Sequence, residues 1–184
     1  RVLDAFEGPF ETVSSAVPPP GRVRDVAGAA GYLVSHHQND AFVAANRLLR
    51  AAGEVYWPAD RSAGGGTGAM FVPATRATRA VLDAAAADLG LVFTGVATRP
   101  SGPALRLRPV RVALWDRYGG ASSSGWIRWL MEGYEFPFEL VYPGTLDEPG
   151  LSNRYDVLIL PADATPAGDR RRAHGPFVPL DAPE

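Results

Sequence analysis

The stretch "GYLVSHHQNDAFVAANRLLRAAGEVYW", Gly31 to Trp57, sets the architecture of the first half of the chain. It opens with "GYLVSH" (Gly31 to His36), a short apolar run that reads as a strand. Asn39 or Asp40 can then cap a helix, because a short amide or carboxylate accepts from the exposed N–H groups of a first turn. Phe42, Ala45, Leu48, Leu49 and Ala52 recur at helical spacing on one face. Gly53 supplies a stop, and "EVYW" (Glu54 to Trp57) is the next strand.

Working outward, "PADRSAGGGTG" reads as a Gly- and Ser-rich loop, and "AMFVP" (Ala69 to Pro73) as a strand. Thr75 opens a second helix to about Leu89, carried by Ala77, Val81, Leu82, Ala85 and Leu89, and Gly90 ends it. "LVFTGVAT" (Leu91 to Thr98) is again a strand. The order β-α-β-β-α-β over residues 28–103 is the split, ferredoxin-like signature. A longer parallel sheet fits the same order if the middle strands take other positions. On the N-terminal side, residues 1–27 read as an extended arm and linker, since Pro18 to Pro20 cannot join a helix.

Beyond the Pro/Gly-rich joint "RPSGP", residues 104–165 read as a second α/β unit. "VRVALWD" is a strand, a helix runs from about Ser124 to Tyr134, and "FELVYP" and "YDVLILPAD" are strands. The continuous apolar run "VLIL" fits a central strand covered on both faces. This half has the pattern of a partial doubly wound sheet, with too few strands for a complete one. Such a sheet leaves an edge and an apolar face that call for a partner, either the remainder of a longer polypeptide or another copy of the chain. Residues 166–184 show no periodicity and read as an irregular tail.

Composition closes off several function classes. The chain of 184 residues is 46% hydrophobic and 21% charged, the balance of a packed globular protein. Its formal net charge of -2 carries no electrostatic footprint for nucleic acid. No apolar run reaches the roughly 20 residues a membrane-spanning helix needs. With no cysteine, disulfides, thiolate metal sites and cysteine nucleophiles are out of reach. The opening "RVLDAFEGPF" has no initiator Met and no signal-peptide pattern, which points to a piece of a longer or processed chain.

The word richest in chemistry is "VALWDRYGGASSSGWIRWL", Val112 to Leu130. Strand, Gly-rich loop and helix N-terminus in that order can cradle an anion. Gly120 and Gly125 have the glycine spacing of a phosphate loop, but Trp126 and Ile127 stand where Lys and Ser or Thr are required. The glycines also lack dinucleotide-fingerprint spacing. The simpler reading is a strand-to-helix turn in which a serine caps the helix while Trp126, Trp129 and Leu130 pack inward. Candidate ligand-binding residues are Asp116, Arg117, Tyr118, Gly119, Gly120, Ser122, Ser123 and Ser124. Arg117 can hold Asp116 as an ion pair, and Tyr118 adds a hydroxyl.

Weaker candidates lie elsewhere. His37 and Asp40 have the spacing of a two-ligand metal motif beside His36, yet a third ligand is wanting, and helix capping accounts for the aspartate. Asp116 and Asp163 each follow a strand and could meet as an acid/base pair, or serve as loop caps. The pattern G-x-S-x-G is absent. "RRRAH" (Arg170 to His174) reads as a solvated basic run.

The words "YLVSHHQNDAFVAANRLLRAAGEVYW" and "ALWDRYGGASSSGWIRWLMEGYEFPFELVYPGTLD…YDVLILP" resemble the region downstream of the catalytic domain in large bacterial zinc carboxypeptidase (carboxypeptidase A-like) proteins. The latter stretch is similar to the start of a class I glutamine amidotransferase-like domain. The resemblance spans roughly residues 28 to 165 and implies an exported protein whose zinc sits in the parent's catalytic domain. That family binds zinc through an H-x-x-E pair and a distant His, and no H-x-x-E occurs here. Amidotransferase chemistry needs a cysteine that this chain lacks. The resemblance therefore implies a non-catalytic accessory segment with no catalytic residue, metal or cofactor of its own, working in packing, substrate positioning or assembly. The alternative is a small-ligand or anion-binding module at the Asp116 to Gly125 loop.

Overall fold

A computed structural model describes residues 14–59, 68–162 and 164. The chain is a mixed α/β fold in which strands and helices alternate into two sheets. The first contains β1 (Arg22–Arg24), β2 (Gly31–Val34), β3 (Tyr56–Pro58), β4 (Met70–Pro73), β5 (Val92–Val96) and β6 (Ala104–Arg106), in the order β1-β5-β2-β4-β3-β6. The inner four strands pair antiparallel throughout, Tyr32 opposite Val72 and Gly95, and Tyr56 opposite Phe71. This order and these directions are consistent with a ferredoxin-like topology.

Two strands extend that frame. The stretch expected to be only an arm contributes β1, parallel to β5, and residues 104–106, expected to open the second unit, instead form β6 of this sheet, antiparallel to β3. Neither was legible as a strand, because three-residue edge strands such as "RVR" and "ALR" carry no periodic signal of their own.

Helices α1 (Asp40–Arg50) and α2 (Arg76–Leu89) cover one face. Period-two alternation sends Tyr32, Val34, Met70, Val72 and Phe93 toward them, where they meet Ala41, Ala44, Ala45, Leu48, Leu82, Ala85 and Ala86. Leu33, Ala69 and Phe71 face the other way, with Tyr56 and Val96. There the Arg99 guanidinium lies 4.1 Å from the centre of the Tyr56 ring. Gly31 is required in β2: a Cβ at that position would stand 2.4 Å from the Phe71 ring.

The helical faces differ in detail from the sequence expectation. Phe42 and Leu49 are only half-buried, Ala52 lies exposed beyond the end of α1, and the buried residues of the helix are Ala41, Val43, Ala44, Ala45 and Leu48. In α2, Ala77 is exposed and Thr78 takes the inward position, because Thr75 and Thr78 form a reciprocal capping box. Asn39 occupies the N-cap of α1 but makes no side-chain capping bond. Gly90 ends α2 in the left-handed region. The stop of α1 falls one residue before the expected Gly53: Ala52 is left-handed (φ 56), and Gly53 N–H donates to the Leu48 carbonyl at 2.8 Å.

The second sheet holds β7 (Val112–Trp115), β8 (Glu139–Val141) and β9 (Val157–Ile159), all parallel, in the order β8-β7-β9. This is consistent with the opening of a doubly wound sheet. Helix α3 (Ser122–Gly133) connects β7 to β8, and the short helices α4 (Pro143–Leu146) and α5 (Leu151–Arg154) lead to β9. The expected central strand "VLIL" instead lies at an edge. Its neighbour β7 is the buried strand, since among the described residues nothing pairs with the far side of β9.

The two halves touch through α1 and the turn after α3. Asn46 Nδ2 donates to the Tyr134 carbonyl at 2.9 Å, and Arg47 and Arg50 both reach the Glu135 carboxylate, at 2.9 and 3.1 Å.

Candidate functional site

The Asp116 loop sits where parallel-sheet proteins place functional groups, at the carboxyl end of the central strand. Trp115 pairs with Val141, and Asp116 N–H donates to the Val141 carbonyl at 2.8 Å, so the loop after β7 lies against the end of β8. Gly119 (φ 86) and Gly120 (φ 78) turn the chain through the left-handed region that side chains disfavour. Gly120 N–H closes the turn on the Arg117 carbonyl.

The polar groups of this loop are committed to one another. Ser124 Oγ donates to Asp116 Oδ1 at 2.6 Å and lies 3.0 Å from the Ala121 carbonyl, while the serine itself is buried. Arg117 N–H also meets Asp116 Oδ1, at 2.8 Å. The Arg117 side chain turns instead to the Gly120 carbonyl at 2.9 Å, so the expected Asp116 ion pair is replaced by a backbone contact. Tyr118 is 76% exposed and stacks on Tyr142, ring centres 4.9 Å apart and planes 4° from parallel. Tyr142 was illegible as a partner, since only the β7–β8 register brings it there.

The N-terminus of α3 departs from the expected serine cap. Ala121 is the N-cap and offers no side-chain acceptor; Ser122 and Ser123 fall in the first turn. Trp126 and Trp129 do not pack inward. They are 67% and 64% exposed, in edge-to-face contact with each other, and Leu130 is 47% exposed. On the opposite side of α3 Ser124 is buried and Ile127 and Met131 are half-buried.

Chemically, the loop presents one carboxylate held by two donors, an open glycine turn and a flat aromatic pair. A Cβ built at Gly119, Gly120 or Gly125 meets nothing within 4 Å. Asp163, Arg170 and His174 lie outside the described residues, so the Asp116–Asp163 pairing and the basic run have no geometry to report.

Among the described residues, no group of three His, Asp or Glu side chains is placed to hold a metal ion. His36 and His37 stack ring on ring at 4.6 Å, and Asp40 begins α1. No described helix is long and apolar enough to cross a membrane.

Fold and site together define a class: a mixed α/β protein with an antiparallel sheet under two helices and a short parallel sheet bearing a loop at its carboxyl edge. No family model, curated protein or solved structure matches the chain.

Proposed function

We propose that the chain is a non-catalytic accessory segment of an exported zinc carboxypeptidase-like protein, its second half related to the start of an amidotransferase-like domain. In this reading it packs, positions substrate or supports assembly. The observation that carries the reading is the exposed apolar surface of the second half. Trp126, Trp129 and Leu130 on α3, with Val157, Leu158 and Leu160 at β9, are open to solvent. Trp126 and Trp129 touch edge to face, and large aromatics exposed side by side mark a surface that works when covered. In the candidate loop the Ser124 hydroxyl is spent on the Asp116 carboxylate.

The reading is tested on the continuous coding sequence around this chain, with activity assays alongside. An in-frame H-x-x-E pair and a later His upstream are expected, with the chain itself turning over neither peptides with a free C-terminus nor glutamine. A coding sequence without that pair, or turnover by the chain alone, overturns the reading.

One observation favours an alternative, small-ligand binding at the loop: the open glycine turn lies beside the exposed Tyr118–Tyr142 pair. Sulfate added during amide NMR would shift Gly119 to Gly125 if this alternative holds.

A further inference from the structure

The two halves meet at one place. Among the described residues, the hydrogen bonds and ion pairs that cross between them all end on Tyr134 or Glu135. Asn46 reaches the Tyr134 carbonyl at 2.9 Å, Arg47 and Arg50 the Glu135 carboxylate at 2.9 and 3.1 Å, and Arg50 the Glu135 carbonyl at 3.3 Å. Each buried apolar cluster of the described residues lies wholly in one half. The covalent link is just as slight. Leu107 N–H is anchored to the Val55 carbonyl at 2.9 Å, and the Arg111 carbonyl accepts from Asp156 N–H at 2.8 Å. Between these anchors Arg108, Pro109 and Val110 are exposed and belong to no strand or helix.

We infer that Glu135 is a salt-sensitive latch between the two halves, and that the second half swings about Arg108 to Val110 when the latch is released. The residue type at this position is the first argument. A helix that ends through a left-handed residue ordinarily places glycine there, yet Glu135 holds that conformation at φ 55. Backbone strain of this kind persists where surrounding contacts hold it in place, and the contacts here come from Arg47 and Arg50 of the other half. The second argument is that release strands no charge. Arg47 keeps Asp88 of α2 at 3.0 Å, Arg50 is exposed, and Glu135 passes into water.

Relative motion is the ordinary behaviour of units joined by a small, polar contact, and a hinge needs only a few loop residues to absorb the change. Ion pairs open to water are weak and screened by salt. Release turns the Asp116 loop and α3, with its exposed Trp126 and Trp129, relative to the first sheet. The inference goes beyond the accessory reading and does not depend on it, since it concerns only how this chain holds its own two halves.

Pulsed electron double resonance between spin labels on the two halves is the test. The chain has no cysteine, so Ala84→Cys on α2 and Gly144→Cys on α4, both exposed, give one label to each half. With Glu135 intact the distance distribution should be narrow at about 0.01 M salt and broaden at about 1 M, where the Debye length falls from about 30 Å to about 3 Å. Glu135→Gln should be broad already at low salt, its open share raised by about fivefold, the factor that one or two such pairs supply. Glu132→Gln should stay narrow, because its partner Arg128 lies on α3 itself. Far-UV circular dichroism should be the same for all three chains. A Glu135→Gln chain that stays narrow at low salt overturns the inference, as does an intact latch indifferent to salt. So does a Glu132→Gln chain as broad as Glu135→Gln, or broadening that comes with lost ellipticity, which would be unfolding and not a swing.

Discussion

Ser124 shows at the scale of one residue how the candidate loop is held. It is the third residue of α3, is buried, and spends its hydroxyl on Asp116 across eight residues of chain. The carboxylate sits near the unsatisfied N–H groups that begin α3, where negative charge is favoured. Ser124→Ala should lower stability by about 1–2 kcal/mol, because a buried hydrogen bond to a charged group is removed and one Asp116 oxygen loses a donor. Urea unfolding followed by circular dichroism measures it, and a loss below a few tenths of a kcal/mol would show that the contact is incidental. The sequence placed Asp116 at this position correctly. Its pairing with Ser124 rather than Arg117 was not legible, because it depends on how two glycines at positive φ fold the loop back.

Among the elements, helix ends show most clearly what the sequence conveys and what it conceals. Thr75 and Gly90 announced both ends of α2, since each acts through backbone geometry that its own side chain, or lack of one, permits. The ends of α1 and α3 were harder to read: both chains turn through a left-handed residue that is not glycine, Ala52 and Glu135. At Glu135 the reason is tertiary. Phe136 N–H bonds back to the Met131 carbonyl at 2.8 Å, and the left-handed turn aims the Glu135 carboxylate at Arg47 and Arg50 of α1. Hydrogen bonding from Arg47, reinforced by Arg50, holds that carboxyl below the ordinary glutamate range. A group whose folded-state value is depressed contributes stability that is fully present above its unfolded value and is lost as pH falls through the folded one. Glu135→Gln should therefore cost about 1 kcal/mol near neutrality, a modest figure because the pair is partly solvated. The gap between wild type and variant should stay constant above the ordinary glutamate range and close only as pH falls below that range, through the depressed folded-state value. Urea midpoints across that range give the answer; a gap independent of pH would mean that the turn, and not the ion pair, matters.

On the scale of the whole molecule the two halves differ sharply in how much core they own. The first sheet and its helices bury Tyr32, Val34, Leu48, Val55, Met70, Val72, Leu82, Leu91 and Phe93 in one cluster, with Phe71 and Leu33 on the opposite face. Around the second sheet the buried apolar residues are Ala113, Leu114, Trp115 and Val141. Regions with few buried apolar contacts open at lower free energy than regions with many. Polar contacts join the halves, Asn46 to Tyr134 and two arginines to Glu135, and such contacts tie their unfolding together only weakly. The chain carries four tryptophans, and Trp57 alone belongs to the first half; Trp115, Trp126 and Trp129 report on the second. In a Trp57→Phe variant, fluorescence should therefore follow the second sheet, while far-UV circular dichroism weighs the whole chain, α1 and α2 included. The fluorescence midpoint should come at lower urea, by roughly 0.5–1 M. Superimposable curves would show instead that the polar contacts at Glu135 bind both sheets into one cooperative unit.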